Sequence, residues 1–573
     1  MTTDQPSSLT TTPTTSTSPT EHRRAPHTPR TRSRPPDSRH RDGPGSPMPR
    51  TSHSPTSEQL AAADAFHAGD HLVLQAGAGT GKTTTLAILA RSTRRPGRYL
   101  AFNKAIAQDA ARRFPAHVTC STAHSLAYAA VGHRFQRRMN APRQAAWRTG
   151  SALGIDTDHR LRIGARTLSS KALSYTVLRT VTEFCRSADP VLTPAHVPRL
   201  RGAESDALHG QLAHAVLPYA RKAWADLQDP ERGAVRFEHD HYLKMWALSA
   251  PVIQTDFLLL DEAQDTNPVV EQVFSAQRAH AQLVLVGDSA QAIYGWRGAR
   301  DVMTGFRGRQ LTLSQSFRFG PALAAAANRW LAIVDAPIRL IGSPLFNTEL
   351  GPLPHPDAVL CRSNSGAMAE VIRLLSDGRR VALAGGGDSL TALARAAYEL
   401  QRGNRTTHPE LTLFESWEEL REYATADPSG RDLLPLVELL DEHSTESVLR
   451  ALGSLSSEDR ADITVSTAHR AKGREWPSVR IAADFTEPDG LEETGEDGEP
   501  LPGPIDLDEA RLAYVAITRA RKRLDLGGLS WINSHPAGDA LMHAQAPRTV
   551  TARPPGTASQ PAIQSYPQAG RGA

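Results

Sequence analysis

The sequence predicts an α/β protein with two parallel-sheet units, each interrupted by a mostly helical insertion. Three observations lead there: a glycine-rich turn set between a strand and a helix at 72–90, a series of short apolar runs ending in polar turns, and two long stretches of helical character at 130–245 and 388–458.

The chain has 573 residues, long enough for more than one core and for two to four domains, and 39% of them are hydrophobic. No apolar run approaches the roughly 18 residues that a membrane crossing needs, and the polar, proline-rich start lacks the apolar centre of a signal peptide, so a cytoplasmic protein without a membrane partner is expected. Cys120, Cys185 and Cys361 show no CxxC spacing, which argues against zinc or iron–sulfur ligation and for small buried side chains. A net charge of +4 with a pI near 9.0 permits a polyanionic partner without requiring one.

Residues 1–56 are Ser, Thr, Pro, Arg and His with almost no aliphatic content, and are expected to form a disordered basic arm. The first unit takes 57–129 and 246–310, with strands at Leu72–Leu74, Tyr99–Phe102, Val118–Ser121, Phe257–Leu260 and Leu283–Val286. Between its halves, 130–245 is rich in Ala and Arg and long enough to be a separate helical insertion. The second unit takes 311–387 and 459–544, with strands at Val359–Cys361, Val381–Leu383, Ile463–Val465 and Val479–Ile481, around an insertion at 388–458. Residues 486–509 read as an acidic, solvated loop, and 545–573 as a disordered tail.

In the turn Ala76-Gly-Ala78-Gly79-Thr80-Gly81-Lys82-Thr83-Thr84, glycines let successive N–H groups face phosphates. Lys82 can reach the β and γ phosphates, and Thr83 can ligate Mg2+. This pattern binds a nucleoside triphosphate. The run Phe257-Leu-Leu-Leu-Asp261-Glu262-Ala-Gln264 supplies the other half: Asp261 at a strand end to hold Mg2+, Glu262 to take a proton from the attacking water, and Gln264 near the γ-phosphate. Gln291 ends a further strand in the same way.

Beyond Gln291 stand Tyr294, Trp296 and Arg297. A lone tryptophan would be core packing, but between those neighbours Trp296 reads as a base-stacking surface. Arg318 and Arg519 lie in the second unit; either alone would be a surface charge, and together they fit a site completed by domain closure. Phe317 can stack on a nucleobase. Thr467 and His469 suit a phosphate backbone and Glu475 a ribose hydroxyl, while Asn103, Thr122 and His124 repeat the strand-end grip on the first unit. Such contacts do not by themselves separate DNA from RNA.

Taken together, Glu58-Gln59, AGAGTGKT, LAFNK, TAHSLA, DEAQDTNP, LVGDSAQAIYGWRGA, LSQSFRFG, TAHRAKGREW and YVAITRARKRL resemble, in order, the motifs of superfamily 1 helicases of the UvrD, Rep and PcrA family. FNK, TAHSLA and QSFRFG lean toward the branch typified by the eukaryotic F-box DNA helicase. The resemblance runs from residue 58 to about 524 and implies two RecA-like P-loop domains, 1A and 2A, with helical insertions 1B and a short 2B. It also implies a monomeric ATP- and Mg2+-dependent motor moving 3′ to 5′ on single-stranded DNA and at single-strand/duplex junctions, in repair or recombination. Its protein partners would be recombinases or single-strand-binding proteins.

By the same resemblance Gln59 contacts adenine, Phe317 takes the place of a stacking tyrosine, and Glu475 is the ribose contact. Gln264 and Gln291 sense the γ-phosphate, and Arg318 and Arg519 match the two finger positions. Thr122, His124, Trp296, Thr467 and His469 fall on motifs facing nucleic acid. The 2B-like insertion is much shorter than in the bacterial repair helicases, so duplex engagement or autoinhibition by a rotating 2B domain is not carried over; a translocase that strips proteins from single strands uses the same motor and is the competing reading. No F-box is legible in the arm and no nuclease carboxylates follow the last motif.

Overall fold

The computed structural model describes residues 54–539 apart from 142–145, 165, 201–204, 296–300, 407, 409–410, 412–413, 427–432, 492 and 494–500. Most of the arm expected over 1–56 and all of the tail expected over 545–573 lie outside the described residues, as do Trp296 and Arg297.

Fourteen strands are described. They are β1 Leu72–Ala76, β2 Gly97–Leu100, β3 Val118–Ser121, β4 Arg160–Ile163, β5 Arg166–Ser169, β6 Phe257–Leu260, β7 Gln282–Gly287, β8 Arg309–Leu313, β9 Glu349–Leu350, β10 Ala358–Cys361, β11 Val381–Leu383, β12 Ile463–Thr467, β13 Trp476–Ile481 and β14 Ala520–Asp525. Two six-stranded sheets result, ordered β3-β2-β6-β7-β1-β8 and β11-β12-β10-β13-β14-β9, with every neighbouring pair parallel.

Residue alternation shows why the central strands are apolar throughout. In β6, Leu258 and Leu260 enter one core while Phe257 and Leu259 enter the other; in β10, Ala358 and Leu360 face one side and Val359 and Cys361 the opposite side. A strand covered on both faces has no solvent side to mark with polar residues.

Three expectations need correction. The junction at 311 falls inside β8, which pairs with β1 from Arg309 opposite Leu72 to Leu313 opposite Ala76 and so belongs to the first sheet. Its mixed sequence, RQLTL, reflects an edge position in which only Leu313 is fully buried. The 130–245 stretch is helical over Ser170–Arg186 and Asp206–Gln228 but also holds the antiparallel ribbon β4–β5. That stretch packs on the first sheet: Leu173, Val177, Leu212 and Val216 share a core with Leu258 and Leu283. Finally, Cys185 and Cys361 are buried, whereas Cys120 is only half-buried.

In β13 the pairing with β14 slips between Trp476 and Ser478. Pro477 lies there and has no N–H to offer the ladder.

Candidate nucleotide site and nucleic-acid interface

The buried strand β1 delivers the phosphate loop. Gly79 and Gly81 have φ of 75° and 78°, a left-handed region that glycine enters without a Cβ penalty. A Cβ on Gly79 would also lie 2.6 Å from both Arg318 Cβ and Ser316 Oγ. Inside the loop, Thr80 Oγ1 donates to Gly77 O at 2.9 Å. The helix Lys82–Arg91 follows, with Lys82 and Thr83 at its start and Thr84 exposed on the first turn.

Asp261 stands at the end of β6, level with that helix start. Its Oδ2 accepts from Thr83 Oγ1 at 2.8 Å and from Tyr99 OH at 2.6 Å, and its Oδ1 from Glu262 N at 2.9 Å. Burial and the neighbouring Glu262 carboxylate push the Asp261 carboxyl above its usual range. A divalent cation would reverse that cost, and Thr83 and Asp261 are hard oxygen donors brought to one point, so the residues fit Mg2+. Among the described residues no group of three or more His, Cys, Asp or Glu is placed to hold a metal, so a cation here would complete its shell from phosphate and water.

Glu262 has φ 52° and ψ 47°, left-handed for a residue with a Cβ, at a cost of about 1–2 kcal/mol. That turn aims its carboxylate at Lys82, whose Nζ lies 3.6 Å from Oε2. Burial opposes the charge on Glu262, but Lys82 and then Lys472 outweigh it and hold the carboxyl below its ordinary value. On Lys82, burial is likewise outweighed, by Glu262, Asp288 and Asp261, and the ammonium is held above its usual value.

Gln264 Nε2 donates to Glu262 Oε2 at 2.7 Å and its Oε1 accepts from Asp288 N at 3.0 Å, linking the ends of β6 and β7. Gln291 Nε2 donates to Asp288 Oδ2 at 2.6 Å. The second sheet's residues meet the first at this amide. Arg519, buried to 2% exposure, donates from Nη2 to Gln291 Oε1 at 3.4 Å and to Thr518 Oγ1 at 2.9 Å. Burial, then Arg318, lowers its guanidinium to about 9.

Two residues that sequence reasoning left without a role also arrive here. Lys472 Nζ pairs with Asp265 at 2.6 Å and donates to the Gln291 backbone oxygen, and Tyr514 OH donates to Asp288 Oδ2 at 2.9 Å. Burial, offset in part by Lys472, raises Asp265 to about 6. Both residues stand inside the TAHRAKGREW and YVAITRARKRL strings, which is the one signal that could have drawn notice to them.

On the far side of the phosphate loop, a Cβ on Gly81 would sit 3.7 Å from Gln59 Nε2 and 3.8 Å from Phe317 Cδ2, so both side chains flank one point. Gln59 Nε2 donates to Thr85 Oγ1 at 3.0 Å and its Oε1 accepts from Thr56 N at 3.1 Å, while Gln59 N donates to Thr56 Oγ1 at 3.2 Å. Phe317 N donates to Gly79 O at 2.8 Å. Glu475 is held by Arg318 Nε at 2.8 Å and Arg521 Nη1 at 3.5 Å, and Arg318 Nη1 also donates to Thr518 O at 2.9 Å.

Residues 59–297 match a family model described as an AAA domain, and 389–531 one described as a UvrD-like helicase C-terminal domain. The chain is 30% identical over 512 residues to the F-box DNA helicase protein 1 of Schizosaccharomyces pombe, across 82% of this chain and 57% of that one. It is 29% identical over 491 residues to the F-box DNA helicase 1 of Gallus gallus, across 80% of this chain and 47% of that one. The chain is thus similar to UvrD-like superfamily 1 helicases, in particular to their F-box-helicase-like branch, and it spans about half the length of the curated relatives it matches.

In this UvrD-like chain both RecA-like sheets send helices outward from strand ends where nucleic-acid contacts were expected. Asn103 Oδ1 accepts from Ile106 N at 2.9 Å, Thr122 Oγ1 from Ser125 N at 3.0 Å and Thr467 Oγ1 from Arg470 N at 3.4 Å, so all three are helix N-caps. The cap explains each residue type without a ligand, and also leaves the other first-turn amides directed outward. His124 Nε2 lies 3.1 Å from Asp240 Oδ1, joining the first unit to its insertion. Tyr294 OH donates to His469 O at 3.0 Å across the two sheets, on the same side of the cleft as Lys472. No helix among the described residues is long and apolar enough to cross a membrane.

Proposed function

We propose that this chain is an ATP-driven, Mg2+-dependent DNA helicase that moves 3′ to 5′ along single-stranded DNA and acts in repair or recombination. The observation that carries the reading is the meeting at Gln291, where an amide beside the hydrolytic carboxylates is held by Arg519 and Lys472 from the second sheet. Only a closed cleft can make those contacts, so nucleotide state and the relative position of two strand-gripping lobes are one variable.

Within the site, Lys82 and the amides of Gly79 and of 81–84 bind and orient the triphosphate. Glu262, kept ionised by Lys82 and Lys472, accepts the proton from the attacking water, and Gln264 fixes the direction of that carboxylate. Mg2+ held by Thr83 and Asp261 would supply charge neutralisation at the phosphates. Arg519 and Arg318 bring positive charge across the cleft, Arg318 by exchanging Glu475 for phosphate. Gln59 and Phe317 frame the adenine and Glu475 the ribose. Reopening after hydrolysis alternates the grip between the caps at Asn103 and Thr122 on one lobe and Thr467 on the other.

The domain assignment follows: 1A over 57–129 and 246 to Leu313, 1B over 130–245, 2A around a compact 2B-like insertion at 388–458. That compact insertion favours a second reading, a single-strand translocase that displaces bound proteins with little unwinding. Turnover measured with no polymer, single-stranded DNA, duplex DNA and RNA, followed by unwinding of 3′- and 5′-tailed duplexes, tests the first. Single-stranded DNA is expected to stimulate most, and only 3′-tailed duplexes to open; turnover indifferent to every polymer would reject a motor. Displacement of a recombinase from 3′-tailed DNA without strand separation would select the second.

A further inference from the structure

Arg519 and Lys472 reach Gln291 directly from the second unit. Tyr514, on the helix Leu507–Ile517 that ends just before Arg519, reaches it only through Asp288. Its ring is wholly buried in a core that contains Ala78 of the phosphate loop and Ala290 of the first sheet alongside Leu323, Val479 and Ile517 of the second unit. Its hydroxyl is a further junction between the units. It accepts from Ala78 N at 3.0 Å and donates to Asp288 Oδ2 at 2.9 Å. That same carboxylate oxygen accepts from Gln291 Nε2 at 2.6 Å.

A hydroxyl with one acceptor role and one donor role filled satisfies the phosphate loop and the β7 strand end at once. Phenylalanine would fill the same volume, so packing alone does not explain the oxygen. A buried tyrosine needs partners, but one partner would suffice; this one takes a first-unit amide on one side and the carboxylate that orients Gln291 on the other.

We propose that Tyr514 is a positioning residue for hydrolysis: its hydroxyl ties the phosphate-loop amide of Ala78 to Asp288, and through Asp288 sets the Gln291 side chain, only when the second lobe has closed. This rests on the motor reading above. Tyr514 is wholly buried, and its role is exercised through Ala78 and Asp288. It makes the γ-phosphate side of the site depend on closure independently of the two arginines.

Tyr514→Phe in the full chain is the test, read by fluorescent-nucleotide affinity without polymer and by single-stranded-DNA-stimulated turnover. Nucleotide affinity should stay within about threefold, while kcat falls about tenfold or more. In a Gln291→Ala background the same substitution should cost less than about threefold, because the side chain it positions is gone. A kcat loss under about threefold, a loss matched by equally weakened nucleotide binding, or full multiplication of the two effects overturns the proposal. Should Tyr514→Phe fail to fold, Asp288→Ala must show the same split with nucleotide binding retained, and an unchanged kcat there overturns it equally. Wild-type turnover that DNA does not stimulate would instead reject the motor reading, which the same assay reports separately.

Discussion

At Gly79 two independent constraints coincide, and they can be separated. Gly81 shares the left-handed backbone, but a Cβ there meets nothing closer than 3.7 Å, whereas at Gly79 it meets Arg318 and Ser316 at 2.6 Å. Gly81→Ala should therefore cost only the conformational term, about 1–2 kcal/mol, and Gly79→Ala that term plus about 1–3 kcal/mol of overpacking. Denaturant melts of the two variants check this; equal losses would show that the cleft yields freely to a methyl group. The residues of this loop were legible from sequence because their chemistry is local: loop, strand end and helix start are fixed by spacing of a few residues. Tyr514 and Lys472 were not, since an apolar or basic residue in a buried helix or turn carries no sign of which neighbour it will meet across a cleft.

Among the elements, the helix His239–Leu248 holds a pH-sensitive cap. His241 Nδ1 accepts from Glu238 N at 2.9 Å, and burial, with Asp240 opposing and Arg138 assisting, lowers the ring to about 4. A proton at Nδ1 would break that bond. Because the folded ring titrates below its ordinary 6.5, the unfolded chain binds the proton more readily between those values. The contribution is complete above pH 6.5 and is lost as pH falls toward 4, reaching about 3 kcal/mol over the full window. Stability of the wild type should rise more steeply from pH 5 to 7 than that of His241→Gln, and parallel curves would assign the acid sensitivity elsewhere. Element boundaries show the same limit of local reading. The apolar strands β6 and β10 were evident, whereas the edge strand β8 and the charged β14, ARKRLD, escaped because partial exposure lets polar residues into a strand.

For the molecule as a whole, a buried ion pair is one of the contacts that hold the cleft closed. Lys472 and Asp265 have side chains 9% and 3% exposed and come from different sheets. Removing one partner strands the other charge, which in a rigid interior costs about 3–5 kcal/mol, while removing both is far milder. Here the cleft can open and rehydrate the survivor. Lys472→Met should thus loosen the two lobes, raising protease sensitivity and lowering DNA-stimulated kcat, and Lys472→Met with Asp265→Asn should recover much of the protease resistance. Additive losses in the double variant would mean the pair does not hold the cleft. Sequence placed both residues in motifs but could not place them together, since 207 positions separate them.

The reciprocal bonds between Thr56 and Gln59 carry a practical corollary for anyone trimming this chain. A protein beginning at Pro55 keeps the threonine that steadies the glutamine beside Phe317; one beginning at Ser57 sets that amide adrift from one of its two moorings. Adenine nucleotides should bind the two versions unequally, the longer more tightly, whereas inorganic triphosphate should not tell them apart. The cut that matters is therefore a matter of two residues at the lip of the proposed base pocket.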